Sequence, residues 1–314
     1  MVGPDVVKAI LLYLNLGTLS NALCHSFITL IPKVKNPEYV SQYRPICLSN
    51  VFLRVFSKVL VNRLKRIMPQ LISDHQSAFM VDRLILDNTM VAFETLHYMR
   101  NHSSGNTGYM ALKLDMSKAY DRVEWLYMEK LMRKMGFAEA WVKLMMMSIS
   151  SATYSVFING EPQGHITQTR GLRQGNPLSP YLFLLCTEGF HGLLKKAKTM
   201  GDIRGVSICR NGPRLTHLLF ADGSLIFCRA KESECQKLLE VLTKYEGASG
   251  QQINRDKTTL FFSKSTPQAM QNTIKTALGV LVVQQYEKYL SLPSFIGRRK
   301  KESFDNIKQR VWKK

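Results

Sequence analysis

Acidic residues are scarce in this chain. Its 314 residues carry 23 Asp and Glu against 43 Lys and Arg, a formal net charge of +20 at neutral pH. A fold with that excess repels itself, and it persists where the partner is a polyanion, either nucleic acid or an anionic membrane surface. Long apolar runs are missing: none approaches the roughly 18 residues that cross a bilayer. The basic residues also lack an amphipathic helix with a bulky apolar face, so no membrane partner is expected. The start, Met1-Val2-Gly3-Pro4-Asp5, has no basic n-region, which predicts no secretory signal. None of the six cysteines forms a C-x-x-C pair, so a zinc site of the usual spacing is not signalled. Several stand in apolar runs, such as Leu184-Leu185-Cys186 and Ile226-Phe227-Cys228. Buried reduced thiols in an intracellular protein are expected, with nucleus and cytoplasm not distinguished. Internal repeats and low-complexity linkers are absent too. That leaves one large or two ordinary globular domains.

Basic residues, by contrast, are plentiful and clustered. Six lie between Lys195 and Arg214 (Lys195, Lys196, Lys198, Arg204, Arg210, Arg214) against Asp202 alone, and eight follow Gly297 against Glu302 and Asp305. Two such clusters suit a groove that tracks phosphates better than two solvated faces.

Periodicity and punctuation mark out the elements. Pro4 and Asp5 suit the first turn of a helix to Leu14 that Gly17 ends. Phe27 to Ile31 reads as a strand stopped by Pro32, and Tyr43-Arg44-Pro45-Ile46 opens another. Apolar residues at helical spacing predict a helix over 50–68 that Pro69 stops, and a second helix spans Val91 to Arg100. Tyr109 to Leu114 is a short strand running into Asp115. Asp121 and Glu124 have capping-box spacing ahead of a helix that Gly136 ends. A helix from Ala138 to Ser150 precedes the strand Thr153 to Ile158, and Asn159-Gly160 predicts a type I′ turn. Ser179 and Pro180 open a long helix to about Lys198. His217 to Ala221 and Ser224 to Cys228 form a hairpin of buried strands, with Asp222-Gly223 as its tight-turn pair. Leu238 to Tyr245 is helical and Thr259 to Phe262 extended. Strands joined partly by hairpins and partly through helices give an α+β fold.

Two Asp residues at strand ends, Asp115 and Asp222, suit nucleotidyl transfer. That chemistry needs two divalent metals roughly 4 Å apart, held by carboxylates. Alone the pair is weak; the company it keeps is specific. Lys113-Leu114-Asp115-Met116-Ser117-Lys118-Ala119-Tyr120-Asp121 strongly resembles the first polymerase motif of reverse transcriptases of non-LTR, LINE-like retrotransposons. Further blocks resemble that family in the right order. They are Leu30-Ile31-Pro32-Lys33 with Tyr43-Arg44-Pro45-Ile46, then Gly171-Leu172-Arg173-Gln174-Gly175-Asn176-Pro177-Leu178-Ser179-Pro180, then Phe220-Ala221-Asp222-Gly223. Ser249-Gly250-Gln251-Gln252-Ile253-Asn254 with Lys257 follows, and Tyr289-Leu290-Ser291-Leu292-Pro293 through Gly297-Arg298 closes the series. The resemblance covers about residues 14–298 and suggests a plant-type copy.

The resemblance implies a right-hand polymerase core. Helical and stranded fingers would occupy about 14–108. A palm on a small antiparallel sheet packed with helices would occupy about 109–284, with an insertion next to the fingers. Residues 299–314 would begin an incomplete thumb, with no endonuclease domain ahead of the fingers. Implied partners are an RNA template, a DNA primer and deoxynucleoside triphosphates, with no obligate protein partner, and two Mg2+ or Mn2+ ions as cofactors. Asp115, the Met116 carbonyl and Asp222 would hold metal. Tyr120 would exclude a 2′-hydroxyl by bulk. Gln174 and Gly175 would lie against the template and nascent pair, and Lys33 and Arg44 would grip the triphosphate. Lys257 would act as general acid toward pyrophosphate.

The chain departs from that pattern. Active relatives carry a second Asp where Gly223 stands, so the metal site keeps two carboxylates in place of three. Asn176 replaces an Asp, Asp82 a Gly before Arg83, and Ser291 a Gly. The expected function is an RNA-directed DNA polymerase impaired at Gly223. The alternative is an inactive retrotransposon remnant that binds RNA or RNA–DNA hybrid.

Overall fold

The computed structural model describes residues 3–17, 20–103, 108–282, 288–290, 292–293, 308–309 and 312. In chain order, the first elements are α1 (Gly3–Leu16), α2 (Asn21–Cys24), β1 (His25–Pro32), β2 (Tyr43–Ser49), α3 (Val51–Leu64), α4 (Met68–Leu71) and α5 (Ile85–Asn101). Then come β3 (Tyr109–Leu114), α6 (Trp125–Lys134), α7 (Glu139–Ser150), β4 (Thr153–Ile158), β5 (Glu161–Thr167) and α8 (Ser179–Thr199). The remainder are β6 (His217–Phe220), β7 (Gly223–Arg229), α9 (Glu232–Ser249), β8 (Thr259–Phe262), α10 (Gln268–Leu278), β9 (Leu281–Val282), β10 (Lys288–Tyr289) and β11 (Leu292–Pro293).

The chain passes back and forth between two compact units. One comprises residues 1–73, 118–189 and 246–252; the other comprises 74–117, 190–245 and 253–314. The first contains a four-stranded sheet in the order β2-β1-β4-β5. Its β1–β2 pair is antiparallel, with Ile31 opposite Arg44 and Pro32 opposite Tyr43. The β4–β5 turn has Asn159 at φ 52° and Gly160 at φ 87°, the two positive angles of a type I′ turn. Leu53, Phe56, Leu60 and Leu64 form the fully buried stripe of α3, and Tyr13 of α1 meets Phe52 edge-on at 5.4 Å.

The second unit is built on a five-stranded sheet in the order β6-β7-β3-β8-β9. It is antiparallel except for the β8–β9 pair at one edge, which is parallel. Ala111, Leu225, Phe227 and Phe261 on one face pack with Ala92, Leu96 and Met99 of α5 in one buried cluster that also takes in Tyr289. The Tyr289 hydroxyl donates to Asn88 Oδ1 at 2.9 Å, which fastens that distant segment to α5.

Some local expectations are corrected. Pro69 does not simply stop a helix; it stands in the first turn of the separate short helix α4, where its missing N–H costs nothing. The expected capping box before α6 does not form: Glu124 is the N-cap residue without a side-chain cap. Asp121 instead accepts from Gln174 Nε2 at 2.9 Å, and Glu124 pairs with Arg170 at 3.2 Å. Helix α5 begins at Ile85, a turn and a half ahead of the apolar signal. The block after Pro293, including Gly297-Arg298, lies outside the described residues, as do Ser291 and most of the basic C-terminal cluster.

Candidate active site

Asp115, Asp222 and Lys257 meet at one end of the five-stranded sheet. The β3–β7 ladder ends with Leu114 opposite Ser224, so the next step along both strands brings Asp115 beside Gly223. Across the same end, the Asn254 N–H donates to the Asp115 carbonyl at 2.8 Å, closing a bridge between Met116 and Ile253. Lys257 follows in that turn and holds its ammonium 3.6 Å from Asp115 Oδ2. The Asp115 side chain is one-third exposed and the lysine largely exposed, so the pair is accessible from solvent and weak in itself.

Asp222 sits at the hairpin tip. The β6–β7 register pairs Phe220 with Gly223, which makes Ala221 and Asp222 the two turn residues. This corrects the expected Asp222-Gly223 turn. The positive φ of 51° falls on Ala221, while Gly223 is the first residue of β7. Glycine's conformational freedom is therefore not used at 223. A Cβ built there would meet only the Phe220 carbonyl oxygen, at 3.4 Å. The Asp222 carboxyl titrates above the usual carboxylate range, chiefly through limited hydration and then through the negative charge of Asp115, with Lys257 opposing. The residue is exposed, which bounds the hydration effect. Two carboxylates that repel one another beside an open solvent face are a donor set of hard oxygens, the chemistry that suits magnesium or manganese.

Gln76 is a positioning residue that no sequence pattern singled out. It is fully buried, and its Oε1 accepts from Ala221 N–H at 3.2 Å and from Ala78 N–H at 3.0 Å. Asn88 Nδ2 adds a bond to the Leu219 carbonyl at 2.9 Å. Both side chains fasten the strand and turn that present Asp222.

The other residues singled out in the sequence belong to the four-stranded unit. Tyr120 stacks on Phe183 with ring centroids 5.0 Å apart, which fixes its ring. Gln174 is oriented by Asp121, and its carbonyl accepts from the Cys47 N–H at 2.8 Å. Gly175 has φ 99°, and a Cβ there would come within 3.1 Å of the Cys47 carbonyl. Its close approach is thus to the backbone of β2. Arg44 is exposed on β2. Lys33, also exposed, donates to the Ser41 carbonyl at 2.8 Å and closes the β1–β2 connection.

The departures elsewhere are sterically absorbed. Asn176 is buried, donates to Ser57 Oγ at 3.0 Å and accepts from the Leu178 N–H at 2.8 Å. Asp82 occupies a left-handed position, φ 60°, that glycine holds without strain and Asp tolerates at some cost. All six basic residues between Lys195 and Arg214 are exposed.

A family model described as reverse transcriptase (RNA-dependent DNA polymerase) matches residues 31–293. The chain belongs to this family. An uncharacterized mitochondrial protein of Arabidopsis thaliana is 57% identical over 70 residues, 22% of this chain and 57% of its own length. The transposon TX1 uncharacterized 149 kDa protein of Xenopus laevis is 27% identical over 264 residues, 82% of this chain and 19% of its own. A retrovirus-related Pol polyprotein from the type-1 retrotransposable element R2 of Popillia japonica is 27% identical over 181 residues, covering 54% and 25%. The domain is thus a reverse transcriptase domain of the non-LTR kind. It spans 57% or less of the length of each of these relatives. Among solved structures, a telomerase of Candida tropicalis superposes with TM-score 0.54 at 12% identity, over 83% of this chain and 44% of that one. At that identity the likeness is one of fold, and it is to a reverse transcriptase core of the right-hand type. Among the described residues no helix is long and apolar enough to cross a membrane.

Proposed function

We propose that this reverse transcriptase domain is built for template-directed nucleotidyl transfer, extending a DNA primer on an RNA template from deoxynucleoside triphosphates. In this copy the transfer is impaired. The observation that carries the reading is the gathering of Asp115, Asp222 and Lys257 at one sheet end, with a residue lacking any side-chain oxygen beside Asp115.

Asp115, the Met116 carbonyl and Asp222 would hold two Mg2+ or Mn2+ ions. When bound, such ions lower the pKa of the primer 3′-oxygen and neutralise charge on the leaving pyrophosphate. The ammonium of Lys257, 3.6 Å from Asp115 and largely exposed, would be the group that gives a proton to the leaving pyrophosphate. Tyr120, fixed against Phe183, is the sugar-excluding side chain. Gln174 and Gly175 are the template-side residues, and Lys33 and Arg44 hold triphosphate. We assign fingers and palm to the segments named above, in an intracellular protein of plant type; the Arabidopsis relative supports the last point.

Primer extension on an RNA template with Mg2+ or Mn2+ tests this reading against Asp115→Asn. Extension by the natural chain above that variant supports it, and equal traces from both refute it.

A second reading, favoured by Gly223 and the exposed basic residues of 195–214, is a non-catalytic RNA or hybrid binder. It predicts an affinity loss of about a thousandfold between 50 and 200 mM salt if some six phosphates are contacted. An affinity flat across that range would remove it.

A further inference from the structure

Three histidines in the five-stranded unit have no part in the chemistry above. His75 lies in the segment before α5, His191 on α8 and His217 on β6. Each offers one ring nitrogen, and those three atoms lie within 4.8 Å of one another. His191 Nδ1 and His217 Nε2 are 2.8 Å apart, and the rings of His75 and His217 stack at 4.4 Å. His191 and His217 are buried, and His75 is half-buried, leaving an approach from solvent.

From these placements we propose that His75, His191 and His217 form a binding site for one transition-metal ion of the zinc class, which braces the β6–β7 hairpin. Zinc takes imidazole nitrogens at about 2.0–2.1 Å, and three such ligands with an open fourth position are a common set. The three nitrogens, within 4.8 Å of one another, would turn toward a common centre on binding. The donors are borderline-soft nitrogens, so the site discriminates against magnesium, which prefers the carboxylates at the strand ends.

Several features prepare the ligands. Thr216 Oγ1 lies 2.9 Å from His217 Nδ1, and a proton held there leaves the Nε2 lone pair facing the cluster. Such a partner on the distal nitrogen is the usual support of a ligating histidine. The backbone is pinned as well. The Leu219 N–H donates to the His75 carbonyl at 2.8 Å, and Gln76 bridges Leu219. All three histidines titrate below the ordinary imidazole range, His191 down to about 4, because burial disfavours the cation; the charge of Lys198 adds to this at all three, and the neighbouring histidines add to it at His191 and His217. An ordinary imidazole is already mostly neutral at neutral pH, the form that binds metal. The surrounding charges are Lys195 and Lys198, both exposed, and Asp74. The lysines oppose a dication only through screened solvent.

The ion would tie the His75 segment, α8 and β6 together. Gln76, next to His75, holds the turn that presents Asp222. Occupancy would therefore stiffen that turn without touching the carboxylates.

The test is calorimetric titration of chelator-treated protein with Zn2+ in the presence of excess Mg2+. One equivalent is expected to bind and to raise the melting temperature. His75→Gln, which alters only a half-buried segment, is expected to fold with an unchanged circular dichroism spectrum and to lose that site. Thr216→Val is expected to weaken it by about 10–100-fold. Co2+ in place of Zn2+ should give visible bands of nitrogen ligation without thiolate charge transfer. The proposal is overturned if the natural chain binds no Zn2+, if folded His75→Gln binds it equally well, or if thiolate bands appear, since Cys209 is exposed.

Discussion

Gly223→Asp is the substitution that separates a lost ligand from a lost fold. Residue 223 is a β7 strand position with no positive φ, and an added Cβ makes only a 3.4 Å contact with the Phe220 carbonyl. Replacing a strand glycine gains about 0.5–1 kcal/mol of backbone entropy. Against this stands repulsion from Asp115, its cross-strand neighbour. Directly opposed side chains lie about 5 Å apart, and like charges near that distance in water repel by about 1 kcal/mol. The two effects nearly cancel, so the metal-free variant should melt within a few degrees of the natural chain. The catalytic effect is larger. One preorganised electrostatic group at a reacting centre is commonly worth about 10²–10³ in rate, or about 2.7–4 kcal/mol. Mg2+-dependent primer extension by Gly223→Asp should therefore exceed that of the natural chain by about two to three orders of magnitude. The assay is single-turnover extension of a labelled DNA primer on RNA, alongside a thermal melt. A variant that melts normally and extends no faster would refute the reasoning and place the defect elsewhere.

Other perturbations address stability and titration. Glu234 is buried; its carboxylate accepts from the Arg229 guanidinium and from the backbone N–H groups of Arg204 and Arg229. Glu234→Ala strands a guanidinium and two donors, and should cost about 3–5 kcal/mol in denaturant unfolding; a cost below 1 kcal/mol would contradict the assignment. Asp222 has a folded-state pKa above its unfolded value, so the folded chain binds more protons and stability falls as pH rises through that window. In chelator, Asp222→Asn should remove that fall and melt slightly higher than the natural chain at neutral pH, while abolishing any metal-dependent extension. The three histidines have the opposite sign. Their folded pKa values are depressed, so the unfolded chain binds more protons and stability drops as pH falls from about 6.5 toward about 4. Lys195, Lys198 and Asp74 are the charges facing them, and His191→Gln should flatten that acid limb in a pH series of thermal melts.

Helices and strands with strong periodicity were legible from the chain itself. Tyr109–Leu114 was readable because a short apolar run ended in Asp, and Asn159-Gly160 because both residues accept positive φ. The start of α5 was not, because Ile85 to Met90 mixes exposed apolar and buried polar residues: Leu86 is exposed while Asn88 is buried to bind the Leu219 carbonyl and Tyr289. The Asp121–Glu124 spacing misled for a related reason. A capping box is a local bond, and Gln174 and Arg170, some 50 residues away in sequence, took both carboxylates.

The order of motifs alone determined the family and named Asp115, Asp222 and the glycine beside them, because those residue types at those spacings are what the chemistry requires. Only the tertiary structure decided what the glycine does. Register, which no local pattern encodes, moved the turn back by one residue onto Ala221 and Asp222 and left Gly223 in a strand next to Asp115. The same long-range pairing assembled His75, His191 and His217 from three separate elements. A contact between residues 26 to 142 positions apart is set by how sheets and helices pack, and each histidine by itself looks like any other in the chain.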